Sequence, residues 1–131
     1  MIVYSFDDSE LHKQLVSQRL IEEALQSKFG VVSTQVIQEF LNAALGKFAG
    51  QISLAQADRF MHRVLWPLCQ IYPTPRLFDA AVSIKSETGY HFYDSLVVSA
   101  AVESGCTTLY TEDLQHDRKI RGVAIRNPFA L

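Results

Sequence analysis

Phe92-Tyr93-Asp94-Ser95-Leu96-Val97-Val98-Ser99-Ala100-Ala101, closed by Gly105, leads into Thr107-Thr108-Leu109-Tyr110-Thr111-Glu112-Asp113. Leu96, Val97, Ala100 and Ala101 recur at helical spacing, whereas Thr107 to Thr111 is rich in β-branched and aromatic residues. The pair therefore predicts a helix followed by a strand. One acid, Asp94, falls in the first helical turn. Another, Asp113, follows the strand, at the edge where open α/β sheets bind ligands.

Working outward, the same alternation recurs. Val123 to Arg126 reads as a further strand. Pro75 opens a helix reaching about Thr88, ahead of Gly89, and Leu68 to Ile71 looks like a strand before it. Ser53-Leu54-Ala55-Gln56 has the form of a capping box, which predicts a helix from Leu54 to about Leu65, ended by Pro67. Ser33 or Thr34 caps another helix, with Val36, Ile37, Phe40, Leu41, Ala44, Leu45 and Phe48 as its apolar face. Gly30-Val31-Val32 reads as a short strand. Ser9 caps a first helix over Glu10 to Lys28, with Leu11, Leu15, Leu20, Ala24 and Leu25 as its apolar positions. No linker or repeat interrupts this order, so a single α/β domain is expected over residues 1–131.

Composition narrows the class. With 48% apolar and 20% charged residues in 131, the chain can bury a core and is not disordered. Its net charge of -2 argues against non-specific coating of nucleic acid, but permits a local basic rim around an acidic pocket. Cys69 and Cys106 fit neither a disulfide framework nor a zinc site, so two buried, reduced thiols in a cytoplasmic protein are expected. No apolar run is long enough to cross a bilayer.

Three carboxylates carry the chemical reading. Glu39 lies in Val36-Ile37-Gln38-Glu39-Phe40-Leu41, sharing a helix face with Gln35 and Asn42, and Asp94 and Asp113 also adjoin apolar runs that look built for burial. Each alone has a plain role: Glu39 on a solvated face, Asp94 as a helix-end charge, Asp113 in a turn. Gathered by the fold, they would need a counter-charge that no nearby Lys or Arg supplies. A hard divalent ion, Mg²⁺ or Mn²⁺, is the economical one.

Ser33-Thr34-Gln35-Val36-Ile37-Gln38-Glu39-Phe40, Gly89-Tyr90-His91-Phe92-Tyr93-Asp94-Ser95-Leu96-Val97, Leu109-Tyr110-Thr111-Glu112-Asp113-Leu114-Gln115 and Val123-Ala124-Ile125-Arg126-Asn127-Pro128-Phe129, in that order, resemble a PIN domain, most closely the VapC-like toxins. The resemblance implies a three-layer α/β/α fold with a mainly parallel sheet. It also implies cleavage of RNA with Mg²⁺ or Mn²⁺ held at Glu39, Asp94 and Asp113, a cognate antitoxin, and a homodimer. There are departures. Met1-Ile2-Val3-Tyr4-Ser5-Phe6-Asp7 is similar to a stretch that follows the family's first strand, so that strand and its metal-binding Asp are expected upstream of Met1, with an internal GTG codon taken for the start. Asp7 and Asp8 align beyond that Asp and are read as solvated caps of the first helix. His91 stands where relatives place Ser or Thr and is read as a capping or surface residue, and Tyr93 stands where many have Trp.

RNA would need a basic approach. Arg118, Lys119, Arg121 and Arg126 are the candidates, with a soluble charged rim as their plain reading. Asp117 is read as a charged turn ahead of Arg118 and Lys119, the alternative implied by the resemblance being an extra metal ligand. Thr111 is either a β-branched strand residue or a hydroxyl for phosphate or metal-bound water. Tyr90, Phe92 and Tyr93 are core aromatics or stacking surfaces for an unpaired base. The functional expectation is an endoribonuclease, impaired by the lack of the first acid. The alternatives are an inactive PIN-like module binding RNA or protein, and an unrelated α/β protein with structural acids.

Overall fold

The structure, a computed structural model, describes residues 2–27 and 29–130, and the chain divides after Gln70 into two units. Lys28, the expected end of the first helix, lies outside the described residues.

In the first unit a 3-10 turn, Ile2–Phe6, precedes α1, Leu11–Ser27. The inward side of α1 is not the expected leucine stripe. Leu11 and Leu15 are 64% and 62% exposed, while Ser17 is buried and Val16, Leu20, Ile21 and Ala24 are partly buried. Those positions fall at i, i+1, i+4, i+5 and i+8, a helical face rotated by about one residue from the expected one. Gly30 is required by close approach rather than by a left-handed turn: a Cβ there would stand 2.2 Å from that of Ala24. The expected strand at Gly30 to Val32 is displaced to β1, Val32–Ser33.

Helix α2, Thr34–Leu45, buries Ile37, Phe40 and Ala44 and leaves Leu45 exposed. The capping box holds as expected: the Ser53 hydroxyl accepts from the Gln56 amide at 3.1 Å, and the Gln56 side chain accepts from the Ser53 amide at 2.8 Å. It opens α3, Leu54–Phe60, which continues through a π turn, Met61–Leu65, into α4, Trp66–Leu68. Pro67 therefore does not stop the helix at Leu65. Its ring would crowd the carbonyl four residues back, at Arg63, and the wider π turn relieves that contact. Strand β2, Cys69–Ile71, follows at once and pairs with β1. Phe40, Phe48, Ile52, Leu65 and Cys69 form the core, with Phe6 and Phe60 against it. Phe6 meets Phe60 edge to face at 5.1 Å, and Phe40 lies 5.1 Å from Phe60, spacings at which ring quadrupoles attract. Asp7 is buried, not solvated. It is 4% exposed, and its carboxylate accepts from both the amide and the hydroxyl of Ser9.

The second unit begins with α5, Pro75–Thr88, where the Thr74 hydroxyl accepts from the Leu77 amide at 3.1 Å. The helix ends at Gly89, whose φ of 76° is the left-handed conformation a glycine takes freely. Helix α6, Phe92–Glu103, packs on α5, and the buried Ser99 hydroxyl donates to the Leu77 carbonyl at 2.9 Å. Three strands follow: β3, Thr108–Tyr110; β4, Lys119–Ile120; and β5, Val123–Arg126. Strand β5 lies in the middle, parallel to β3 and antiparallel to β4. The parallel pairing fits an α/β reading; β4 is an addition to it. Arg121 and Gly122, both at positive φ, make the two-residue hairpin turn between β4 and β5. Ile84, Val98, Ile120 and Ile125 form the core. Cys69 is buried as expected, whereas Cys106 is half-buried; both are thiols rather than disulfide partners.

Replacing Leu65, fully buried, with Ala is expected to cost about 2–5 kcal/mol in urea unfolding. Ser53→Ala should cost about 1 kcal/mol, and Leu54→Ala, at a 74% exposed position, should stay within about 0.5 kcal/mol.

Candidate functional site

Asp94 occupies the first turn of α6. His91 is the N-cap residue by backbone conformation; its carbonyl accepts from the amide and the hydroxyl of Ser95, while its side chain is exposed and caps nothing. Asp94 is half-buried and its side chain has no hydrogen-bonding or ion-pair partner among the described residues. The unpaired amides of the helix start favour a negative charge there.

Asp113 lies in the loop leaving β3. The Thr111 amide donates to the Arg126 carbonyl at 3.0 Å, extending the parallel ladder by one step. The Thr111 hydroxyl then accepts from the Asp113 amide at 3.2 Å, turning the chain out of the sheet. Asp113 itself is exposed. The loop returns at Asp117, whose φ of 66° is a conformation Asp tolerates better than most residues. The Asp117 amide donates to the Ile125 carbonyl and the Ile125 amide to the Arg118 carbonyl, both at 2.8 Å. Between these anchors His116 Nδ1 accepts from the Asn127 amide at 2.9 Å. His116 carried no sequence signal, because its partner is eleven positions away and contributes only backbone.

Glu39 belongs to the first unit, on α2, and accepts from the Gln35 side chain at 3.0 Å. It is exposed. The expectation that the three acids are buried is thus corrected: Glu39 and Asp113 face solvent and Asp94 is half-buried, so burial alone does not demand a counter-charge. Around Glu39 the apolar residues Ile37 and Phe40 are buried and the acid takes the outward position of the same helix. Asp94 and Asp113 stand in the second unit, Glu39 in the first. Among the described residues no three His, Cys, Asp or Glu side chains are grouped closely enough to hold a metal ion.

The basic residues divide by engagement. The Arg118 guanidinium lies 5.0 Å from the centre of the Tyr90 ring and donates to its hydroxyl at 3.1 Å. Arg121 is held by both carboxylate oxygens of Glu87 and by the Ser83 hydroxyl. That hydrogen-bonded pair, reinforced by its Coulomb attraction, holds the Glu87 carboxyl below its ordinary range. Arg126 reaches Asp117 at 3.7 Å, and Lys119 is exposed on β4. Phe92 and Tyr93 are exposed and meet edge to face at 5.6 Å, so they are surface rather than core aromatics.

The model of one known family, the PIN domain, matches residues 1–121. The chain belongs to the PIN domain family. No curated protein matches it. The PIN domain is a nuclease-type fold, generally found in ribonucleases. Among the described residues of this PIN domain no helix is long and apolar enough to cross a membrane.

Arg121→Gln should return the Glu87 titration, followed by carboxyl carbon NMR shifts, upward toward that of an ordinary glutamate. The sign of the linked stability follows. A carboxyl lowered in the folded state contributes above its unfolded pKa and loses that contribution as pH falls through the folded one. The variant should therefore flatten stability with pH only on the acidic side.

Proposed function

We propose that this PIN domain is a metal-dependent endoribonuclease of the VapC-like toxin kind, acting in the cytoplasm as a homodimer and restrained by a cognate antitoxin. The observation that carries the reading is Asp94, half-buried in the first turn of α6 with no side-chain partner among the described residues, in a chain of nuclease-type fold. The amides of the helix start favour the ionised form of Asp94, which keeps an oxygen donor available to a cation. A hard cation is the natural complement. The donor chemistry fits one: Glu39, Asp94 and Asp113 offer oxygen alone, which suits Mg²⁺ or Mn²⁺ rather than zinc.

When bound, such an ion lowers the pKa of water and neutralises charge on phosphate oxygens. The remaining work belongs to the side chains. Asp94 and Asp113 are proposed as ligands from the helix start and the loop, with Glu39 as the third. Thr111 uses its oxygen as an acceptor for Asp113, which leaves its proton to donate to a phosphate oxygen. Lys119, Arg118 and Arg121 supply positive charge to the approaching RNA, although Arg121 must first leave Glu87. No covalent protein nucleophile is needed. The antitoxin, the dimer and the cytoplasmic setting rest on the VapC resemblance. The ligand set implied by that resemblance includes a further Asp that no residue of this chain matches, so cleavage by these 131 residues is expected to be weak.

The test is RNA cleavage with added Mg²⁺ or Mn²⁺. Asp94→Asn, Asp113→Asn and Glu39→Gln should each lower the rate by roughly 100-fold, about 2.7 kcal/mol of transition-state stabilisation, and a chelator should abolish it. Cleavage that is indifferent to chelation, or to Asp94→Asn in folded protein, would refute the proposal.

A further inference from the structure

The geometry points to His116 as a positioning residue that holds the Asp113 loop on the end of β5; its role at the site rests on the metal-dependent reading above. A backbone amide can only donate, so the nitrogen receiving the Asn127 N–H, Nδ1 at 2.9 Å, must be the unprotonated one. The imidazole is then neutral, with its proton on Nε2. That nitrogen faces Asp117 Oδ2 at 3.4 Å, and the other Asp117 oxygen stands 3.7 Å from the Arg126 guanidinium. One ring thus spans from the tip of the loop to the strand's last turn, with its orientation set from both sides.

The consequence falls on Asp113. The loop leaves the sheet at Thr111 and rejoins it at Asp117, and the backbone bonds at those two points go to Arg126 and Ile125. His116, three positions beyond Asp113, adds a third tie, to the amide of Asn127. A metal ligand on an exposed loop is useful only if the loop returns it to one place, which is what outer partners of metal ligands provide. The chemistry also selects the residue type. Asn carries an acceptor oxygen at the position of Nδ1, whereas Gln places its polar group one bond further out and Ala has none.

Wild type, His116→Asn, His116→Gln and His116→Ala can be compared by two readouts: amide hydrogen exchange at Asn127 and Asp113, and Mn²⁺ affinity from the free-ion EPR signal. The Ala and Gln variants should exchange faster at both amides and bind Mn²⁺ roughly tenfold to a hundredfold more weakly; Asn should restore both. Should the Ala variant not fold, the contrast between Asn and Gln decides. Faster exchange with unchanged Mn²⁺ affinity would overturn the positioning role, as would an Asn variant that behaves like Gln. A wild type that takes up no Mn²⁺ would overturn the metal reading and this role with it. An unprotected Asn127 amide in a wild type that does bind Mn²⁺ would overturn this role alone.

Discussion

Two-sided pairing of β5 is the constraint on which the second unit's layout depends. Strand β3 binds one edge in parallel and β4 the other in antiparallel register, so Val123 and Ile125 are committed to the buried face. A slip of one residue would exchange them for Ala124 and Arg126, and an apolar core does not accept the Arg126 guanidinium. The same backbone continues past its paired residues to anchor the loop of Asp113. Core packing and the placement of the Asp113 loop are thereby imposed by one short segment.

Most of the helices were legible because their ends are chemically marked. Ser53 with Gln56, Pro75 and Gly89 are local signals, and local hydrogen bonds mark the ends of these helices. What was not legible depends on partners far along the chain. The rotation of α1 reflects what the rest of its unit offers for burial, and a Leu-based stripe carried no information about that. Strand β4 was missed because Lys119-Ile120 reads as part of a basic run, and its turn rests on Arg121 in a left-handed conformation that Arg seldom signals.

For the acids, the place in the secondary structure was easier to read than the surroundings. The setting of Asp94 at a helix start and Asp113 beyond a strand followed from punctuation in the sequence. Their exposure did not, because apolar neighbours along the chain say which way those neighbours point and nothing about the acid between them. Engagement was equally hidden. Arg121 and Glu87 stand 34 positions apart, and Arg118 and Tyr90 stand 28 apart. Only the folded chain sorts a charged rim into residues already occupied and residues still open.

The π turn before Trp66 has a consequence for how this protein tolerates changes in length. Helix passes into strand between Leu68 and Cys69 with no loop to absorb an error. The turn carries one residue more than an α-helical turn, and so sets the angular phase at which Leu65 and Leu68 point inward. In β2 that phase becomes a parity: Cys69 and Ile71 inside, Gln70 outside. A single-residue deletion at the turn would make a more regular helix and present Gln70 to the core. The irregular turn is the spacing by which a helix of period 3.6 is matched to a strand of period two.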